Sequence, residues 1–271
     1  MTFSRTLTAT FEATNSLVCL FLVNPAINYC KQRAFFFLFN AVLFYLCDML
    51  HSMPKEDNYM HKGLRKQLVQ SLREKGIKDE RVLAAIEAIP RHFFLDPAFE
   101  RQAYEDRAFP ITAGQTISQP YTVAYQTQLL DLKKFDKVLE IGTGSAYQAC
   151  VLAEMGISLF TIERQKALYD HVSQFILMKK YPNIKRFYGD GFEGLPSYAP
   201  FDKILITCGA PFVPPKLLDQ LKPGGIMVVP VGEEDKQKML RITKDKEGNI
   251  LEEEMGDFVF VPMLQGRNNM Q

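Results

Sequence analysis

The stretch Val138–Cys150, "VLEIGTGSAYQAC", is an apolar run broken by two closely spaced glycines and then resumed. A short buried strand that turns through glycine into a helix reads this way. Open α/β sheets bind their ligands at such a turn, beyond the carboxyl end of a strand. A dinucleotide fingerprint needs a third glycine, G-x-G-x-x-G, for close helix–strand packing. Gly142 and Gly144 fill the first two positions, but Tyr147 stands at the third. Glu140 sits two residues before Gly142, where its charge opposes a diphosphate. The same charge suits a ligand with a cationic amino-acid end, which favours S-adenosylmethionine over NAD. The plain alternative is a turn that only packs a helix.

Two further acids weigh against that alternative. "FTIERQ" ends the next strand on Glu163, where a carboxylate can accept hydrogen bonds from ribose hydroxyls. "YGDG" ends a third strand on Asp190, within reach of an adenine amino group, and Gly191 lets a ring approach. Each acid alone is an ordinary solvated strand end. Three acids ending three successive strands beside one glycine turn form a pattern.

Working outward, the spacing predicts an α/β fold. "KVLEIG", "SLFTIE", "IKRFYGDG", "FDKILIT" and "GGIMVVPVG" are strands, separated by helices at about 146–155, 166–180 and 215–221. This alternation describes a doubly wound, mostly parallel sheet with helices on both faces. "QKMLRITKD" and "ILEEEMGDFVFVPML", joined by "KEGN", add antiparallel C-terminal strands. Upstream, "KGLRKQLVQSLREKG" and "KDERVLAAIEAIP" are two N-terminal helices, the second capped by Asp79 and ended by Pro90. Arg91–Pro120 reads as irregular, and "YTVAYQTQLLDL" as a helix leading into the glycine turn.

The chain has 271 residues and a net charge of +1, which gives no electrostatic case for nucleic acid. Its five cysteines form no C-x-x-C pair, so neither a disulfide framework nor a metal site is expected. Residues 1–59 form an apolar extension apart from the domain at 60–271. Within it, "AFFFLFNAVLFYLCDML" (Ala34–Leu50) barely reaches the roughly 17–25 residues that span a bilayer. It reads as a membrane anchor over 16–50, as a poorly specified appendage, or as upstream sequence with Met53 or Met60 as the natural start. The last is favoured, because well-patterned sequence begins near Met60.

The remaining motif is Gly114–Tyr121, "GQTISQPY", which places the hydroxyls of Thr116 and Ser118 ahead of the glycine turn. No histidine stands beside it, and no G-x-S-x-G elbow marks Ser118 as a nucleophile. By itself "TIS" is a plain turn segment.

Together, "AYEDRAFPITAGQTISQPYTVA", "VLEIGTGSAYQACVLAEMG", "GDGFEGLP", "APFDKILITCGAP", "VPPKLLDQLKPGGIMVVPVG" and "FVFVPM" resemble the protein-L-isoaspartate O-methyltransferases. The resemblance covers about residues 62–264, and "GQTISQP" is its most specific motif. It implies methyl transfer from S-adenosylmethionine to the free α-carboxylate of L-isoaspartyl residues in damaged proteins. The ester then collapses to a succinimide, which reopens partly to aspartate. The resemblance gives Gly142, Thr143 and Gly144 to the methionine end of the cofactor, Glu163 to the ribose, and Asp190 with Gly191 to the adenine. It makes Ser118 the active-site serine, with Thr116 beside it, and lays Ile111–Gly114 over the cofactor. A cytoplasmic monomer acting on isoaspartyl proteins, without metal, is the expectation. The chain departs from the family at Ala146, commonly glycine, and at Phe192, often Trp. Alanine is expected to fit if Ala146 has the negative φ of a first-turn helical residue.

The chemistry is consistent with the missing base. A carboxylate with a pKa of about 4 arrives ionised, so attack on a sulfonium methyl asks mainly for positioning. The alternatives are a methyltransferase for another small-molecule or protein carboxylate, and a non-catalytic S-adenosylmethionine-binding protein. Base methylation is disfavoured because no N/D-P-P-Y-type motif occurs. His92, Cys150 and Cys208 read as packing residues.

Overall fold

Two amphipathic helices come first among the described residues, and each has its own start and stop signals. In the computed structural model, which describes residues 56–174, 176–233 and 235–268, α1 spans Tyr59–Glu74 and α2 spans Glu80–Ala88. The Asn58 side chain accepts from the His61 amide at 3.1 Å and starts α1, and Gly76 with φ +99 follows its end. Asp79 accepts from the Arg81 amide at 2.9 Å and caps α2. Leu68 and Leu72 of α1 and Val82, Leu83 and Ile86 of α2 are buried in one apolar cluster. The described residues belong to one compact unit beginning at Glu56. The apolar run of residues 34–50 lies outside the described residues. Among the described residues, no helix is long and apolar enough to cross a membrane.

The rest alternates as the sequence predicts. A hairpin of β1 (Phe109–Pro110) and β2 (Thr116–Ile117) precedes α3 (Pro120–Leu129), β3 (Lys137–Ile141) and α4 (Tyr147–Glu154). Next come β4 (Ser158–Glu163), α5 (Lys166–Gln174), β5 (Ile184–Tyr188), β6 (Phe201–Ile206) and α6 (Pro215–Gln220). The strands β7 (Leu221–Glu233), β8 (Lys236–Lys244) and β9 (Ile250–Phe258) finish the sheet. Its order is β5–β4–β3–β6–β7–β8–β9, parallel through β7 and antiparallel beyond it. The winding therefore reverses between β3 and β6, which makes their carboxyl ends the place for a ligand.

The stretch 91–119 is better ordered than its composition suggests, and a charge orders it. Arg91 is wholly buried, donating from Nε to the Ala103 carbonyl at 2.9 Å and from Nη2 to the Arg107 carbonyl at 3.2 Å. Its guanidinium lies 5.0 Å from the centre of the Tyr147 ring on α4. Burial lowers its pKa to about 10, which leaves it charged at neutral pH. The loop is thus pinned to the helix that leaves the glycine turn. Pro120 opens α3 rather than ending a segment, since its missing N–H is no loss in a first helical turn.

One expectation is corrected. Ala146 is not a first-turn residue with negative φ; it caps α4 at φ +68, ψ +11. The chain leaves β3 through left-handed residues at Gly142, Gly144 and Ala146, with φ of +98, +53 and +68. A glycine there would avoid a left-handed cost of about 1–2 kcal/mol. Alanine recovers about 0.8 kcal/mol from its buried methyl and roughly 0.4–1 kcal/mol from a stiffer unfolded chain. These terms nearly cancel, so Ala146→Gly is expected to change unfolding free energy by no more than about 1 kcal/mol. Urea denaturation checks this, and a loss above about 2 kcal/mol would show that the left-handed alanine carries little strain.

Candidate active site

At the carboxyl end of the β3–β6 ladder, one side chain reaches across to the turn. The Thr207 hydroxyl lies 2.9 Å from the Ile141 carbonyl oxygen and 2.8 Å from that of Gly142. A Cβ on Gly142 would fall 2.6 Å from that hydroxyl, so only glycine can start the turn. The amides of Gly142 and Thr143 donate to the Ile162 carbonyl at 2.9 and 3.2 Å. Glu163 grips the other end: it accepts from the Gly144 amide at 2.9 Å and the Gln165 amide at 2.7 Å. Each carboxylate oxygen keeps a further lone pair for a ligand hydroxyl.

These groups wall a cavity of about 90 Å³. Gly142, Thr143, Gly144, Glu163, Gly191, Thr116 and Ser118 all line it. Its volume is below the roughly 300–1,000 Å³ of small-molecule sites, because Gln115–Ser118 and Val261–Leu264 both contribute walls. A Cβ on Gly191 would fall 2.4 Å from Ile141 Cγ2 and 3.2 Å from Met263 Cε. The residue type is thus set by close approach.

Three predicted residues stand outside this wall. Gly114, at the exposed turn of the β1–β2 hairpin with φ +66, does not line it. Glu140 is buried one layer behind, on the face of β3 opposite Ile141. Asp190 accepts from the Phe192 amide at 2.9 Å and the Gly266 amide at 2.7 Å, so it ties down the chain after β9. That tail crosses the carboxyl ends of the strands. Gly209 donates to the Val261 carbonyl at 2.8 Å, Met263 to the Gly209 carbonyl at 2.7 Å, and Asn268 to the Arg164 carbonyl at 2.8 Å.

Sequence reasoning missed the tail, Thr207 and a second cavity of about 570 Å³. Thr116, Ser118, Thr207 and Val261 line both spaces and mark where they meet. Of this segment, Ile117 is buried and lines only the first cavity, whereas Thr116 and Ser118 line both. Cys208 also lines the first cavity, which its reading as filler did not anticipate. His92 lies in the packed interior away from both walls, its ring stacked on His61 at 3.8 Å and bonded to the Tyr104 hydroxyl at 2.7 Å.

The winding and the cradle define a Rossmann-like methyltransferase, and the comparisons specify which. A family model, protein-L-isoaspartate(D-aspartate) O-methyltransferase, matches residues 63–268. A protein-L-isoaspartate O-methyltransferase of Cytophaga hutchinsonii is 58% identical over 77% of this chain and 94% of its own length. That of Christiangramia forsetii is 51% identical over 79% of this chain and 100% of its own. A Plasmodium falciparum structure in complex with S-adenosyl-L-homocysteine, assigned to the same activity, is 25% identical with a TM-score of 0.65. It covers 74% of this chain and 98% of that one. The chain belongs to the protein-L-isoaspartate O-methyltransferase family.

The electrostatics of the turn are unusual. Both Glu140 oxygens are shut off from solvent in the layer behind the turn. Burial lifts its pKa to about 8; the Thr161 hydroxyl opposes this and the Glu163 charge adds to it. Burial also raises Glu163, against the backbone amides it accepts from. Glu140 is therefore largely neutral when folded at pH 7, but ionised when unfolded. Between its ordinary value of 4.5 and about 8 the folded chain holds the extra proton, so stability falls as pH rises through that window. Glu140→Gln is expected to flatten this fall, by a few kcal/mol between pH 5 and 8. Urea midpoints of both proteins across that range provide the test; an unchanged slope in the variant would refute it.

Proposed function

We propose that the chain methylates the α-carboxylate of L-isoaspartyl residues with S-adenosylmethionine as donor, and that Ser118 aims the acceptor. The observation that carries this is the meeting of two cavities at Thr116, Ser118, Thr207 and Val261. One space holds the features of a donor site, and the other opens beside it on the hydroxyl pair. When bound, the cofactor supplies a methyl group on a positively charged sulfur, so the leaving group needs no proton.

The chain's residues then bind and orient. Gly142, Thr143 and Gly144 take the methionine end, and Glu163 accepts from the ribose hydroxyls. Gly191 leaves room for the adenine beside Ile141, while Asp190 acts by holding the tail that closes the site. Glu140 contributes through charge from behind the turn: a cation in the cavity favours its ionised form.

Ser118 donates a hydrogen bond to the acceptor carboxylate, which is already ionised. Cys208 does not compete as an acceptor. Burial pushes its thiol up to about 12, and the thiol, unlike the thiolate, is a poor nucleophile.

Incubation with labelled methyl donor is expected to put a base-labile methyl ester on an isoaspartyl peptide. Label no greater than on the matching aspartyl peptide would overturn the reading. Ser118→Ala removes one charge-assisted hydrogen bond, so kcat is expected to fall about 10- to 100-fold. Calorimetry should find S-adenosylmethionine affinity within about twofold of the parent. An equal loss in both would remove the acceptor role from Ser118.

A further inference from the structure

We propose that the second cavity is a subsite for an aromatic or large aliphatic side chain adjoining the isoaspartyl residue. This rests on the function proposed above. Its walls come from segments far apart in the chain, α3 and the end of β9, and they carry a row of rings. Tyr121 and Tyr125 are stacked with centroids 5.6 Å apart and an interplanar angle of 16°. Tyr125 and Phe258 repeat the arrangement at 5.6 Å and 23°. The Tyr125 hydroxyl donates to the Met255 carbonyl at 3.0 Å, which fixes the ring and satisfies its polar atom. The wall therefore sets the rings of Tyr121, Tyr125 and Phe258 beside the polar side chains of Thr116, Ser118, Gln119 and Thr122.

Two observations indicate an occupant. Val259, also in this wall, is 73% exposed, and Tyr121, Tyr125 and Phe258 are only half-buried. Part-exposed rings and a valine gathered in one concave wall are the kind of apolar surface that a ligand side chain covers. Asp257, the only charged residue among those lining the cavity, is paired with Lys236 at 3.1 Å and Lys238 at 3.0 Å. The wall thus offers no free charge to select a charged ligand.

Position narrows the choice further. Ser118 lines both cavities, so a carboxylate aimed by its hydroxyl stands at the mouth of the ring-walled space. Successive residues of a peptide are about 3.8 Å apart, and one methylene further across the isoaspartyl link, so the neighbouring side chain is close enough to enter the space that Ser118 also lines. An aromatic side chain gains burial and ring stacking there, and alanine gains neither.

Two peptide series test this, one varied before and one after the isoaspartate, each with alanine, leucine and phenylalanine. At one of the two positions, phenylalanine is expected to raise kcat/KM about tenfold over alanine, with leucine between. Tyr125→Ala and, independently, Phe258→Ala should each compress that ratio to about twofold or less. Tyr125→Phe, which keeps the ring, should preserve it. Because the ratio is read within one protein, a general loss of active enzyme does not move it. Equal kcat/KM across both series, or a ratio that survives both alanine variants, would overturn the subsite while leaving the methyltransferase reading intact. Failure to methylate every isoaspartyl peptide would overturn both.

Discussion

The hydroxyl of Thr207, set between the carbonyl oxygens of Ile141 and Gly142, is the contact on which the site depends. It joins β3 to β6 at the one place where the winding of the sheet reverses. Because the hydroxyl fills the space a Cβ would need, the turn must begin with glycine and a positive φ. The chain then rises through Thr143 and Gly144, whose amides are taken by Ile162 and Glu163. The glycine at 142 follows from that contact, and the Glu163 carboxylate then holds the next amide of the turn, Gly144.

Much of this is visible in residue types, because strand period and turn chemistry are local. The run from Val138 to Ile141 marks β3, and Gly142 and Gly144 mark the turn that follows it. Ala146 was misread for a physical reason. Handedness is legible where glycine announces it, and an alanine in a left-handed conformation announces nothing. Arg91 was hidden for a similar reason, since a charge in a loop reads as solvated until the carbonyls of Ala103 and Arg107 are seen around it.

The tail and the second cavity belong to another class of omission. Val261–Asn268 has no period of its own, and its course is set by single backbone contacts to Gly209, Asp190 and Arg164. Asp190 shows the consequence. Its place at a strand end suggests a ligand contact, yet both oxygens serve backbone amides, one of them in the tail. The ring wall joins Tyr121 and Tyr125 to Phe258, more than 130 residues away, and no spacing rule connects them.

The choice of hydroxyls where the cavities meet follows from the reaction. A carboxylate and a sulfonium carry opposite charges before methyl transfer, and an ester and a thioether carry none afterwards. Charge is therefore being lost in the transition state, and a strong cation or anion at the junction would stabilise the ground state more. The side chains found there are Thr116, Ser118, Thr207 and Val261, all neutral. The charged residues lining the first cavity, Glu163 and Arg164, do not line the second, whose own Asp257 is paired with lysines. In the reaction proposed above, weak donors suffice to aim an oxygen whose charge is about to vanish, whereas a lysine in place of Ser118 would hold that oxygen back.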